Sequence, residues 1–499
     1  MSAYQQLEKH FADIAGFRHA RDILDWDNAV MMPIASADVR ASATATLQVH
    51  IHGMSTAAAI PDWIANAKNE SLNPWQLANV REIERGFTLN AALPTDLVQA
   101  LSNATSKGEQ AWRQLRGENN WQDFKPYLEE IFSLSREQGS ALGEALGTTP
   151  YNALLSIYQP GITCEDIDPI FSELRGFLPT LIEAVLEKQR SRGNAAGTPT
   201  GIDTDNQREL GLSTMKLLGF NFDRGRLDIS HHPFCGGAAG DVRITTRYDE
   251  DNFLSSLQGV IHETGHALYE QHRPANYLNQ PVSEAMGMAI HESQSLFMEM
   301  QLGRSAPFIE HLAPIIRAQL APHASSDDPQ WSSAALYELA THVEPGFIRV
   351  DADECTYPAH VILRYEMEQQ LIAGTMDVAD IPDAWNSAMT DMLGVSTEGN
   401  YADGCMQDVH WPSGGIGYFP TYTLGAIAAA QFKAALSRDV PNLEQQIREG
   451  DLSTTKNWLE EKVWSQGSLY SMQDLMRRAT GSALDVADFK AHLKQRYLA

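Results

Sequence analysis

The stretch Val260-Ile-His-Glu-Thr-Gly-His-Ala-Leu268 sets the strongest constraint on the fold. His262 and His266 stand four residues apart, so a helix puts both imidazoles one turn apart on one face. That spacing offers a metal ion two neutral nitrogens at about 2.0 to 2.1 Å without bending the backbone. Glu263 is turned about 100° round the helix from His262, beside the metal position rather than on it. A carboxylate there can take a proton from water that the ion polarises. The plain alternative is a helix that carries the pattern by accident. The chain has 16 His in 499 residues, so chance matches number about 0.03 per chain and accident is the weaker account.

A zinc site of this kind takes three protein ligands plus water, so an acidic third ligand is expected downstream. Glu270 lies another turn along the same helix, too far along the axis to reach an ion held by both histidines. Glu284 and Glu292 remain, both in a helical run predicted over 284–299 with Met286, Ile290 and Phe297 on its buried face. Glu292 stands mid-run in the polar interruption His291-Glu-Ser-Gln294, which is costly to bury unless it serves the site. Glu292 is therefore the expected ligand. His291 and Gln294 are either orienters of the ligands or polar core partners. Zinc is the expected ion, and cobalt or manganese can substitute at such a set.

The length fits two or three ordinary domains or one large helical one, and 43% hydrophobic residues supply a substantial core. No apolar run of about 18 residues occurs, which excludes an obvious membrane span. The N-terminal residues lack the basic and then apolar regions of a signal peptide, so a cytoplasmic location is expected. Four scattered cysteines without a CxxC pair point to reduced thiols. A formal net charge of −27 opposes nucleic acid and anionic membrane surfaces as partners.

Residues 1–24 predict an amphipathic helix through Tyr4, Leu7, Phe11 and Ile14, broken at Asp25-Trp-Asp-Asn28. From 38 to 147, helical runs alternate with breaks at Pro61, Pro74 and Pro94. Residues 151–161 leave a helix for a turn, a further helix is predicted over 166–189, and 191–201 is the expected exposed linker. In Asp241-Val-Arg-Ile-Thr-Thr-Arg-Tyr248, apolar Val242 and Ile244 alternate with Arg243 and Thr245, the period of a half-buried strand. A strand here gives an extended peptide an edge to pair with, and a small structural hairpin is the alternative.

These motifs together resemble the thermostable carboxypeptidase, or carboxypeptidase Taq, family of zinc metallopeptidases. The resemblance rests on Trp26-Asp27, Met32-Pro33, His232-Pro-Phe234, Asp241-Val-Arg-Ile-Thr245, the His262 to His266 motif, His291-Glu-Ser-Gln294, Ile348-Arg-Val-Asp-Ala-Asp353 and Gly417-Tyr-Phe-Pro-Thr-Tyr422, in that order. It covers nearly the full length. It implies a mainly α fold: one large helical domain over 1–499 with a deep active-site groove, to which the strand reading adds a small β-sheet next to the HExxH helix. Within it, helices fill about 1–200, the catalytic motifs 220–425, and closing helices 426–499. It also implies a homodimer that removes residues one at a time from peptide C-termini, and it supports Glu292 as third ligand.

An enzyme of that kind must recognise a free carboxylate, and arginine does so with fixed two-pronged geometry. Arg349 is the candidate, on a segment expected to enter a helix whose face Asp353, Tyr357 and His360 share. Its plain alternative is a structural pair with Asp351 or Asp353. The stretch 404–425 reads as a glycine-rich loop carrying His410, Trp411, Tyr418 and Tyr422 to the substrate. Either tyrosine can donate to the oxyanion that forms when water attacks, and aromatic packing is the alternative for each. His232 follows His231 and precedes a proline, so the segment is extended and its ring either meets substrate or caps a turn. Two rivals remain. One is a zinc oligopeptidase or dipeptidyl carboxypeptidase with the same metal site, and the other a non-catalytic helical scaffold, for which Glu263 would be superfluous.

Overall fold

In the computed structural model, residues 1–192, 197–230 and 232–499 are described. The chain opens with α1 (Ala3–Val30), α2 (Ala37–Ser55), α3 (Ile60–Ala67), α4 (Pro74–Ala91), α5 (Thr95–Gly117), α6 (Trp121–Leu146), α7 (Pro150–Tyr158), α8 (Cys164–Arg192) and α9 (Thr204–Leu218). Prolines mark starts here, as expected: Pro61 and Pro74 occupy first-turn positions and Pro94 precedes α5. The helix predicted over 166–189 is α8, longer at both ends. Of the expected linker, residues 193–196 lie outside the described residues.

The predicted break at Asp25-Trp-Asp-Asn28 is corrected, because α1 runs through it to Val30. Ser2 and Gln5 form a reciprocal cap at its start. Tertiary contacts hold its far end. Trp26 is buried and packs against Phe234 with ring centres 5.2 Å apart, and Asp27 pairs with Arg40 at 2.5 Å. Tyr4, Leu7, Phe11 and Ile14 form the predicted stripe, packed with Ile51, Ile60, Ile64, Val80 and Ile83 in a cluster distinct from the main core.

Strands β1 (Gly225–Ile229), β2 (Cys235–Ala238) and β3 (Asp241–Thr246) follow, in the order β1-β3-β2. The predicted strand is β3, but it is central: parallel to β1 with Gly225 opposite Val242, antiparallel to β2 with Cys235 opposite Ile244. It therefore has no unpaired edge for a peptide, and the sheet's edges belong to β1 and β2. Val242 and Ile244 pack with Val260 and Ala267 on the next helix, while Arg243 on the other face lies 5.9 Å over Trp26.

That next helix, α10 (Phe253–Gln271), carries the HExxH motif, and α11 (Gly287–Leu296) crosses it before continuing as a π-helical stretch, Phe297–Gly303. The run predicted over 284–299 is thus corrected. Gly287 adopts φ 74°, which separates Glu284 from the helix, and Glu284 pairs with Arg18 at 3.1 Å. Beyond lie α12 (Ala306–Leu320), α13 (Ser333–Ala340), α14 (Tyr357–Ala373), α15 (Ile381–Leu393), α16 (Pro420–Asp439), α17 (Leu443–Arg448), α18 (Ser453–Lys462), α19 (Met472–Thr480) and α20 (Ala487–Leu498). The fold is mainly α with one small sheet, as expected.

Gly265 lets α10 and α11 meet. A Cβ there would lie 2.4 Å from the Gln294 carbonyl oxygen and 2.6 Å from Ser295 Cα. Gly265→Ala should therefore force the helices apart, at a typical overpacking cost of about 1 to 3 kcal/mol. Because α11 carries Glu292, bound metal should fall along with the melting temperature. Metal analysis beside thermal unfolding checks this, and an unchanged pair of values refutes it.

Candidate metal centre

α10 and α11 bring His262, His266 and Glu292 together, with one potential ligand atom from each lying within 4.8 Å of the others. His262 Nε2 is 3.8 Å from Glu292 Oε1, and His266 Nε2 is 3.5 Å from Glu292 Oε2. Ligands on a shared tetrahedral ion at about 2.0 to 2.1 Å stand about 3.3 Å apart, so the three fit one ion with small movements. The His262 side chain keeps 22% of its surface exposed against 10% and 7% for His266 and Glu292, so the site opens on the His262 side.

Both histidines are held through Nδ1, which aims Nε2 at Glu292. His262 Nδ1 lies 2.8 Å from Glu299 Oε2, and Arg304 holds the other Glu299 oxygen at 2.6 Å. His266 Nδ1 lies 3.2 Å from the His291 carbonyl oxygen. The His291 ring stacks on His266 at 4.5 Å and bonds Glu270 at 3.1 Å, and Arg273 in turn donates to Glu270. Glu270, engaged by His291 and Arg273, braces the site from behind. Gln294 is a core partner, accepting from the Trp464 indole at 2.8 Å.

Glu299 is the residue that sequence reasoning missed. Its signal was available: it falls seven residues after Glu292, two turns along the same face. The π-helical stretch that contains it adds a residue to the turn, a feature common at functional sites.

Electrostatics fit a cation. Burial would favour a neutral His262 ring, but the Glu299 hydrogen bond and the Glu292 and Glu263 carboxylates outweigh it and carry its pKa up to about 10. Burial and the neighbouring His291 take His266 down to about 4. Burial alone would raise Glu299, yet Arg304 and the His262 hydrogen bond hold it down to about 2. The carboxylates around His262 thus call for positive charge, which a divalent ion supplies in place of the proton, and such binding strengthens as pH rises. Glu263 is pushed up to about 7 by burial, partly opposed by His262, and its Oε2 is buried with no hydrogen-bond partner among the described residues. An unsatisfied buried acceptor beside a ligand set suits a base that holds water.

Truncating Glu292 should abolish stoichiometric metal. Glu299→Ala should weaken metal binding by about 10 to 100-fold, since orienting partners of a ligating histidine carry that much. Glu284→Ala should leave it intact. Metal titration of the three variants ranks them, and equal behaviour of Glu284→Ala and Glu292→Ala would remove Glu292 as a ligand.

A second group gathers round Asp408. Arg349 is buried and donates from Nε and Nη2 to Asp408 Oδ1 at 3.1 and 2.9 Å, and from Nη1 to the Tyr357 hydroxyl at 3.1 Å. Arg364, fully buried, pairs with Asp408 Oδ2 at 2.6 Å. The expected alternative partners, Asp351 and Asp353, are corrected to Asp408. Asp353 instead accepts from the Cys355 and Thr356 amides ahead of α14, so it is not on the helix with Tyr357 and His360. Burial and the two arginines take His410 down to about 3 despite Asp408, so its ring is neutral.

His410 Nε2 meets the Tyr422 hydroxyl at 3.1 Å, and the Tyr418 ring lies 5.2 Å from Tyr422. The expected loop over 404–425 ends at Phe419, because α16 starts at Pro420 and places Tyr422 on a helix. Burial raises the phenols of Tyr357, Tyr418 and Tyr422, and the Glu292 charge adds to all three, so they stand within electrostatic reach of the metal ligand. Gly425 seats α16 there, since a Cβ would fall 2.9 Å from Glu292 Cβ. His232 is exposed between β1 and β2, and its carbonyl accepts from Ser230 Oγ at 2.5 Å. His231 lies outside the described residues.

The carboxypeptidase Taq (M32) metallopeptidase family model matches residues 6–497. Thermostable carboxypeptidase 1 of Thermus thermophilus is 34% identical over 513 residues, covering 100% of this chain and 99% of the relative. Its counterpart in Pyrococcus furiosus is 32% identical over 99% of this chain and 98% of its own. Among solved structures, Trypanosoma cruzi metallocarboxypeptidase 1 superposes with a TM-score of 0.97 at 41% identity, covering 100% of this chain and 99% of that one. Likeness of this extent reaches every helix described above, and the chain belongs to the carboxypeptidase Taq family: it is a metallocarboxypeptidase, a hydrolase of peptide bonds.

Proposed function

We propose that this chain is a zinc enzyme releasing single residues from peptide C-termini, with His262, His266 and Glu292 as ligands and all 499 residues acting as one catalytic domain. Two imidazoles and a carboxylate suit zinc, and cobalt or manganese fit the same donors. When bound, the ion would polarise the scissile carbonyl and acidify water. Glu263 takes the proton from the attacking water and passes it to the leaving amine nitrogen. Tyr418 and Tyr422, whose hydroxyls meet each other while His410 holds Tyr422, supply the donor to the developing oxyanion. His232, exposed at the end of the sheet, meets parts of the peptide farther from the bond.

One observation favours single-residue release over the oligopeptidase reading. Arg349 and Arg364 are two buried cations that share the one carboxylate of Asp408, and neutral His410 adds no charge, so Asp408 by itself offsets only one of the two. Asp408 takes the Nε and Nη2 side of Arg349 and the Tyr357 hydroxyl takes one Nη1 hydrogen, so each terminal nitrogen keeps one N–H for a second carboxylate. A peptide's terminal carboxylate supplies that charge and shape. The test is a free-acid peptide beside its C-terminally amidated twin, with chelator and then with zinc restored. The acid should shorten one residue at a time and the amide lag far behind, with all cleavage stopped by chelator. Equal rates for the twins, or release of dipeptides, refutes the reading.

Peptides are the proposed partners, with no nucleic acid, in line with the acidic charge. Among the described residues no helix is long and apolar enough to cross a membrane. A cytoplasmic setting is in keeping with four free cysteines. A homodimer is also proposed, supported by apolar Ile34, Val39 and Val49 exposed about the α2 hairpin.

A further inference from the structure

Glu368 on α14 is a buried carboxylate that the metal chemistry does not use. It has no exposed surface, and neutral donors meet both its oxygens. Trp411 Nε1 donates to Oε1 at 2.8 Å, while the Tyr151 hydroxyl and the Gly417 amide donate to Oε2 at 2.7 and 2.9 Å. Two of these three donors belong to the stretch 401–419 that leads into α16. Trp411 follows His410, and Gly417 precedes Tyr418. The Gly417 amide reaches Glu368 through a tight bend: its φ is 91°, and a Cβ there would sit 3.0 Å from the backbone of Leu154 and Leu155. From α7, Tyr158 packs edge-on against Tyr418 with ring centres 5.0 Å apart.

A charge buried this way is expensive. Burial pushes Glu368 up to about 7, against its three hydrogen bonds and the Arg364 charge. The carboxylate has one property that a neutral side chain of the same shape lacks: both ends only accept. A glutamine amide turned one way sets its NH2 against the Trp411 N–H, and turned the other way against the Gly417 N–H. Either orientation releases one of the two loop contacts.

We propose that Glu368 is a positioning residue for the substrate-binding wall: its two oxygens pin the 401–419 stretch beside His410 and Tyr418 and so fix where those side chains stand. This rests on the reading that His410 and Tyr418 face the peptide. Glu368 touches none of the metal ligands, so its loss acts on catalysis without acting on metal content.

The test compares variants of the full metal-loaded chain by kcat, KM, bound metal and thermal unfolding, with a free-acid peptide as substrate. Glu368→Gln should keep stoichiometric metal and lose about 10 to 100-fold in kcat/KM, the scale of a charge-assisted bond replaced by two opposed donors. Trp411→Phe alone should lose about 3 to 10-fold. Combined with Glu368→Gln it removes the opposed donor, so the double variant should be no worse than Glu368→Gln. Tyr151→Phe leaves both loop contacts in place and should stay within about threefold of wild type. The Trp411 and Tyr151 comparison decides the matter even if Glu368→Gln fails to fold. The proposal is overturned if folded Glu368→Gln keeps its kcat/KM, if the two losses simply add, or if Tyr151→Phe costs as much as Trp411→Phe. Tyr418→Phe separates the two readings. A silent Tyr418→Phe removes the wall and this proposal with it, whereas an impaired Tyr418→Phe beside an active Glu368→Gln removes only the role of Glu368.

Discussion

Glu263→Gln should keep its metal and lose about 10² to 10⁴-fold in kcat, the usual worth of a general acid and base. The substitution is nearly isosteric and Glu263 is not among the candidate ligand atoms, so metal affinity should hold. The fold should hold as well. Burial raises the Glu263 pKa, which means the metal-free native state binds its proton more tightly than the unfolded chain does. Ionising it therefore costs stability as pH rises from about 4.5, its ordinary value, through the raised value near 7. An uncharged Gln escapes that cost, so metal-free Glu263→Gln should melt no lower than wild type at pH 8. Metal analysis, calorimetry and steady-state rates on one preparation test the three parts together. Near-native turnover in a fully loaded variant would end the assignment of Glu263 as base.

Arg349→Ala should lose roughly 30 to 4000-fold in kcat/KM on free-acid peptides. That range follows from about 2 to 5 kcal/mol for truncating one side of a desolvated ion pair, at about 1.4 kcal/mol per tenfold. Most buried arginines would be poor probes, because their removal strands a partner charge. Here it does not. Asp408 keeps Arg364 on its other oxygen at 2.6 Å, so the variant retains a balanced pair and the unfolding transition should move little. Lysine should rescue only in part, since a point charge cannot present two parallel donors. The amidated peptide decides the role, because it has no carboxylate to lose. If Arg349 is the anchor, the preference of wild type for acid over amide should nearly vanish in the variant. A variant that keeps the full preference would show that the arginine only braces its loop.

The local chemistry of the centre was legible because it depends on short-range spacing. Two histidines at i and i+4 fix the helix and the metal in one step. The stripe from Tyr4 to Ile14 and the Val242, Ile244 alternation likewise became a buried face and a strand. Glu292 was reached by a weaker inference, from a polar interruption in an apolar run. Where local reasoning failed, distant contacts had overruled it. Asp25-Trp-Asp-Asn28 reads as a helix stop, yet Trp26 gains more by burying against Phe234 and Arg243 than the chain gains by breaking. In β3, alternation gave the strand but not its neighbours, and pairing on both sides made it central.

By itself, then, the sequence determined the metal motif and the helical class, since each follows from periods of two to four residues along the chain. Only the tertiary structure decided how they work together. Asp408 is 59 residues from Arg349 and 44 from Arg364, and nothing in the local pattern of any of the three announces the shared pair. The same holds for Glu368, which is 43 residues from Trp411 and 217 from Tyr151. Partnerships of that range are set by how helices pack, and packing depends on the shape of the whole core rather than on any stretch of it.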